Sequence, residues 1–182
     1  MRDEYTGVMR IVATDHFFMK RMLNRMRAEL LDTASCTPER FISIVRAMRF
    51  HIDYVLEAHS PIEEIIFRHL RTRRSILAST VDDLLLDHAK AESWLLAIDD
   101  LTKSDGFKYP QTHDRLRRLI LNYSTHKLAH IEKEDHKILP AINAIFRSSD
   151  WETVKVEADK VLMTAGKIYE PGRSEVAGAP QS

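Results

Sequence analysis

Apolar residues return every three or four positions over most of this chain, the period of a helix that buries one side. From Val8 to Leu31 the stripe is Ile11, Val12, Phe18, Met22, Met26 and Leu30. A second runs from Pro38 to about Thr72 through Phe41, Ile44, Val45, Met48, Ile52, Val55, Ile62, Ile66 and Leu70. A third starts at a Ser79 or Thr80 cap and continues through Leu84, Leu85, Ala91, Leu95 and Ile98 to about Lys103. The fourth spans about Gln111 to Phe146 with Leu116, Leu119, Ile120, Tyr123 and Ile138, and the fifth reaches about Ile168 through Trp151, Val154, Ala158, Val161, Leu162 and Ala165.

The joins between stripes are short. Asp32 to Thr37 reads as a polar turn, Thr37-Pro38 as an N-cap followed by proline at the first helical position, and Ser104 to Pro110 as a loop. Ser149-Asp-Trp-Glu152 has the spacing of a capping box at the head of the fifth helix. Pro61 and Pro140 fall inside helical patterns, where each removes a backbone hydrogen bond and bends or breaks the helix. The expected fold is all-α: an antiparallel up-down-up-down four-helix bundle with an additional C-terminal helix, over residues 1–170. The last residues, 171–182, are rich in Gly, Pro, Ser and Ala and read as a disordered tail. The apolar face of the fifth helix must be covered, by the bundle or by a second chain in a homodimer.

Composition narrows the classes. The 182 residues are 44% hydrophobic, enough for the core of one domain. Lys plus Arg and Asp plus Glu are 27 each, a balance that argues against a nucleic-acid or anionic-membrane partner. A single cysteine, Cys36, excludes an internal disulfide and a thiolate metal site within one chain. The chain carries no apolar run of signal-peptide or membrane-spanning length, so a cytoplasmic, soluble protein is expected.

The chemistry lies in two blocks, His59-Ser-Pro-Ile-Glu63-Glu64 and His130-Ile-Glu-Lys-Glu134-Asp135. A histidine and a carboxylate four apart lie only about 40° apart on a helix face, so each pair aims at one point. His16 and His88 stand in the first and third helices. Four helices can thus bring four imidazoles and two carboxylates to one place, an inventory for two metal ions. Ionised carboxylates buried among Ile, Phe and Leu are costly unless a cation is present, and an imidazole and carboxylate set suits iron, manganese or zinc. The ferritin-like arrangement needs Glu-x-x-His on two helices, and the sequence contains none.

In order and spacing these residues resemble the hemerythrin-like, HHE cation-binding domains. The resemblance covers about residues 8 to 146 and rests on His16, His59-x-x-x-Glu63-Glu64, His88, and His130-x-x-x-Glu134 with Leu139-Pro140. It implies a non-heme di-iron centre, with His16, His59, His88 and His130 as terminal ligands and Glu63 and Glu134 as bridges. Oxygen-carrying members have a second histidine where Glu92 stands, and a fourth-helix carboxylate where Asp135 stands. The pattern of four histidines and two glutamates is closer to members that sense iron or oxygen or repair iron–sulfur clusters. The implied function is binding of O2 or a related small diatomic or peroxide ligand, as an oxygen, iron or redox sensor or store. The alternatives are a di-iron enzyme consuming peroxide or nitric oxide, or an iron–sulfur repair protein, although the repair proteins carry an N-terminal cysteine-containing domain that these residues do not include.

Other polar residues have plainer expectations. His126, one turn before His130, is either a fifth ligand or an outer hydrogen-bonding partner. His51 reads as outer or solvated, and His69, His113 and His136 as surface residues. Tyr54 and Tyr123 either donate to a site carboxylate or are satisfied elsewhere. Glu64 and Asp135 read as outer or solvent-facing, and the arginine run Arg68, Arg71, Arg73 and Arg74 as a solvated helix end. No phosphate loop, nucleophilic triad or organic-cofactor motif is present.

Overall fold

Each expected stripe forms a helix in the computed structural model, which describes residues 7–32, 34, 36–73, 77–103 and 112–169. The elements are α1 (Gly7–Leu31), α2 (Pro38–Tyr54), α3 (Ser60–Thr72), α4 (Ala78–Lys103), α5 (His113–Lys133), α6 (Leu139–Ile145) and α7 (Ser148–Tyr169). Two π-helical turns, Val55–His59 and Glu134–Ile138, join α2 to α3 and α5 to α6 without a break. No strand occurs among the described residues. The expected Ser104 to Pro110 loop and the 171–182 tail lie outside them.

Both prolines are accommodated by the same device. Without an N–H, Pro61 and Pro140 leave the carbonyl four residues back without its donor, and their rings crowd the preceding turn. The preceding turn opens by one residue. Ser60 N–H donates to Val55 C=O and Leu139 N–H to Glu134 C=O, each five residues back. The helices therefore continue through the prolines, each through a π bulge of the kind often found at functional sites.

Two caps differ from expectation. Thr37 does cap α2, its Oγ1 accepting from Arg40 N–H with Pro38 following. At α4, however, the first helical bond runs from Val81 N–H to Leu77 C=O, so Ser79 and Thr80 lie inside the first turn. At α7 the reciprocal contact is made by Asp150, whose carboxylate accepts from Arg147 N–H and pairs with Arg73, in place of a Ser149–Glu152 box. A carboxylate at this end of a helix also meets the positive end of its dipole.

Helices α1 and α4 both pack on α5, and α4 also contacts α2 and α3. Helix α7 lies across α3, α1 and the Val55–His59 turn. Its Trp151, Val154 and Ala158 join a core with Val8, Met9, Val12, Ile62, Ile66, Leu70, Leu84 and Ile142. The apolar face of the fifth helix is therefore covered within the chain; a contact between two chains through α7 would use its outward Val156 and Met163. The α3 arginines tie down the same neighbours, Arg68 pairing with Glu157 and Arg71 lying 3.6 Å from Asp82. No described helix is long and apolar enough to cross a membrane.

A second core gathers Leu23, Met26, Leu30, Phe41, Met48, Ile52, Leu95, Ile98, Leu116 and Ile120. Complete burial of one such side chain contributes about 1.5–3 kcal/mol. Along each rod the change from one core to the other falls at a polar residue. On α1, Val12 belongs to the first core and Met19 to the second, with His16 between; on α4, Leu84 and Ala91 flank His88. The two cores thus enclose a buried polar layer.

Candidate metal centre

All six residues singled out in the sequence meet in that layer, and each is buried: His16, His59, Glu63, His88, His130 and Glu134. α1 supplies His16, the end of the first π turn His59, α3 Glu63, α4 His88, α5 His130, and the start of the second π turn Glu134. They form two overlapping groups that share Glu63, one of His16, His59 and Glu63, the other of Glu63, His88, His130 and Glu134.

The Nε2 atoms point inward. His16 Nε2 lies 2.9 Å from Glu63 Oε1 and 3.4 Å from Glu134 Oε2. His59 Nε2 is 3.1 Å and His88 Nε2 3.3 Å from Glu63 Oε2, while His130 Nε2 is 3.0 Å from Glu134 Oε1 and 3.0 Å from His88 Nε2. Ligands about 2.0–2.2 Å from a common ion stand about 3 Å from one another, so these spacings are those of a coordination shell. Each carboxylate also divides its oxygens. Glu134 turns Oε2 toward His16 and Oε1 toward His130, and Glu63 turns Oε1 toward His16 and Oε2 toward His59 and His88.

The outward Nδ1 atoms face acids from other helices. His16 Nδ1 donates to Asp135 Oδ1 at 2.7 Å and His59 Nδ1 to Asp15 Oδ2 at 3.2 Å. His130 Nδ1 stands 3.6 Å from Asp87 Oδ2 and His88 Nδ1 3.7 Å from Glu64 Oε1. At His16 and His59 this carboxylate–imidazole order fixes ring orientation and raises the basicity of the inner nitrogen; His88 Nδ1 and His130 Nδ1 make no hydrogen bond among the described residues. Further contacts hold the acids: Tyr54 donates to Asp15 Oδ1 at 2.7 Å, Lys20 to Asp135 at 2.6 Å and Lys133 to Asp87 at 2.8 Å.

The electrostatics record the strain of gathering these groups. Burial pulls the His16 and His88 imidazoliums down, but neighbouring carboxylates outweigh it and raise both to about 9: Asp135 and Glu63 through hydrogen bonds to His16, Glu63 and Glu64 by facing His88. His130 is driven the other way, to about 2, by burial and then by Lys127. Burial raises Glu134 to about 7, with the Glu63 charge adding to it. Burial would raise Glu63 too, but His59, Lys127 and His16 outweigh it and hold that carboxyl well below its usual range.

A cation answers what the protein groups leave unmet. His59 Nε2, Glu63 Oε2 and both carboxylate oxygens of Glu134 are buried without a hydrogen-bond partner among the described residues. Groups so placed are costly to bury unless an ion coordinates them. The nitrogen and oxygen donor set, without sulfur, fits a metal of the iron, manganese or zinc kind.

The remaining expectations sort themselves by contact. His126 stays out of both groups, with Nε2 3.1 Å from Asp87 C=O. His51 is buried rather than solvated and bonds Tyr123 Oη at 2.6 Å, so Tyr123 is satisfied there and not by a site carboxylate. Tyr54 reaches Asp15, a carboxylate beside the site. Glu64 is largely exposed and Asp135 partly buried. Among the surface assignments His136 is exposed, while His69 and His113 are half-buried. Sequence reasoning passed over Asp15, Asp87 and Lys127. The first two immediately precede His16 and His88, a signal present in the sequence, but each serves a histidine of another helix. Lys127 sits in the apolar stripe of α5 three residues before His130, and only its burial reveals it.

Comparison with curated proteins and with solved structures gives no significant match. The family model of the hemerythrin HHE cation binding domain matches residues 8–142, a span that contains all six clustered residues. The chain belongs to the hemerythrin HHE cation-binding domain family.

Proposed function

We propose that this is a non-heme di-iron protein that binds O2 or a related small ligand and serves as an oxygen, iron or redox sensor or store in the cytoplasm. The fold is read as one antiparallel up-down-up-down four-helix bundle with a C-terminal helix over residues 1–170. His16, His59, Glu63, His88, His130 and Glu134 would hold the two irons, Glu63 and Glu134 as the carboxylates shared between them. The observation that carries this is the overlap of two donor groups at Glu63, whose two oxygens face different histidines. Bound iron would supply redox chemistry and an open coordination position. The chain supplies the rest. Its two cores exclude water, and the Asp135 and Asp15 carboxylates keep the Nδ1 protons of His16 and His59 in place so that their Nε2 lone pairs face inward.

One observation favours the second reading, an enzyme consuming peroxide or nitric oxide: a cavity of about 270 Å3 reaches His88 and gives a small molecule access to the layer. Elemental analysis after iron reconstitution is expected to give about two irons per chain, as a dinuclear donor set requires. At most traces of iron, or one tightly held zinc, would overturn the di-iron reading. Mixing the reduced protein with oxygen then separates the roles. A single oxidation without repeated turnover supports a sensor or store; sustained consumption of hydrogen peroxide or nitric oxide, lost in His59→Ala, makes it an enzyme; and a complex that releases oxygen under vacuum makes it a carrier.

A further inference from the structure

Lys127 is the one lysine or arginine buried among the described residues, 2% exposed, and its Nζ lies 3.7 Å from Glu63 Oε2. That separation is an ion pair without a hydrogen bond. An ammonium is costly to keep in a protein interior, and Glu63 stands beyond hydrogen-bonding reach of this one. If Glu63 binds metal, the mismatch deepens, because the carboxylate charge is then shared with cations and Lys127 becomes a further positive charge beside them.

The cavity next to it offers a resolution. Its lining includes Lys127, His88, Glu64 and Glu92, with Leu95 and Val55 as apolar wall. Glu92 is exposed at this cavity. The cavity therefore adjoins the ion that His88 and His130 would hold, with Lys127 on the same side.

Resting on the di-iron reading, we infer that Lys127 sets the charge of the exogenous ligand: it selects a small monoanion in this cavity over a neutral molecule of the same size, and the more exposed Glu64 and Glu92 oppose that selection. The ligand class is a compact anion of the hydroperoxide or azide kind, able to lie between an ammonium and a cationic metal pair. The cost of the buried lysine is then met by the ligand, and not by Glu63 alone.

Optical titration of the full, iron-loaded chain tests this, with azide as the anionic probe and nitric oxide as the neutral one. Lys127→Met is expected to weaken azide by about tenfold or more, as loss of a unit charge a few ångströms away in the interior implies. Nitric oxide affinity and the two irons per chain should stay as they are, and Lys127→Arg should recover part of the azide affinity. Glu92→Gln, at an exposed position, should shift azide in the opposite sense and tighten it about two- to fivefold, since the lost charge is nearer solvent. Azide binding unchanged in Lys127→Met, or azide and nitric oxide weakened together, would overturn the inference. Should Lys127→Met not fold, Lys127→Arg and Glu92→Gln decide it, and equal azide affinity in both and in the wild type overturns it. Wild-type chain that takes up no iron sinks the di-iron reading and this inference with it. A two-iron protein indifferent to residue 127 sinks only the inference.

Discussion

The two His-x-x-x-Glu blocks share their spacing and follow the same proline rule, yet the protein gives their carboxylates opposite character. Glu63 is held well below the usual carboxylate range, whereas Glu134 is raised to about 7. Burial pushes both upward; the difference is in neighbours. At Glu63 the cationic or potentially cationic His59, Lys127 and His16 outweigh burial, whereas at Glu134 the charge of Glu63 adds to burial and Lys127, His16 and His88 do not offset the two. The π turns are also placed differently. One ends at His59, ahead of its pair, and the other begins at Glu134, behind its pair. In the second, the loosened turn lets adjacent Glu134 and Asp135 take the two nitrogens of the same ring, Nε2 and Nδ1 of His16. One sequence motif can thus yield an ionised hub and a proton-holding partner.

Removing the hubs breaks this comparison most sharply. Because Glu63 belongs to both donor groups, Glu63→Ala is expected to abolish uptake of both irons, while Glu134→Ala leaves the His16, His59 and Glu63 group to retain a fraction. Iron per chain by elemental analysis checks the order, and equal loss in the two variants would erase the distinction. Glu64→Ala and Asp135→Ala should each lose less than either.

The protonation asymmetry predicts the next effect. At pH 7 the metal-free layer holds protons on His16 and His88, raised to about 9, and part of one on Glu134, raised to about 7. Metal must displace them, so uptake should release about two to three protons per chain, measurable by calorimetry in buffers of different ionisation enthalpy. The same shifts give the pH dependence of the metal-free fold. The raised pKa values of His16 and His88 contribute stability that is fully present below about 6.5 and lost as pH rises through about 9. His51 and His130, lowered to about 3 and about 2, contribute stability present above about 6.5 and lost as pH falls toward those values. The melting temperature of chelated protein should therefore peak near pH 6.5 and fall on both sides. Chelation at neutral pH should itself lower the melting temperature, and an unchanged value would argue against a buried ion.

The outer carboxylates come third. Asp135→Asn and Asp15→Asn each remove an acceptor from an imidazole of the buried layer and should weaken metal binding by about 10–100-fold in competition with a chelator. Asp135→Asn should have the larger effect, since its bond to His16 is the shorter and is braced by Lys20. The smallest change is expected for His126→Ala, whose ring bonds a backbone carbonyl outside both groups. Iron content and spectrum close to wild type would agree, and loss of one iron would make it a fifth ligand.

The sequence by itself determined the helical stripes, the positions of the prolines within them and the two His-x-x-x-Glu pairs. These are properties of spacing along single helices, where 3.6 residues per turn fixes which side chains share a face. Spacing alone would have treated His88 and Glu92, also four apart, as a third pair, and only packing turns Glu92 out to the surface. Tertiary structure likewise decided that Asp15 serves His59 and that Asp87 faces His130, neither pairing with its own neighbour in the chain. It also decided that Lys127 lies inside, that α7 closes over the first core, and that Glu63 and Glu134 titrate at opposite ends of the carboxyl range. The physical reason is common to these. Contacts between helices and the burial they impose depend on the register of one rod against another, and desolvation and charge act through space without regard to distance along the chain.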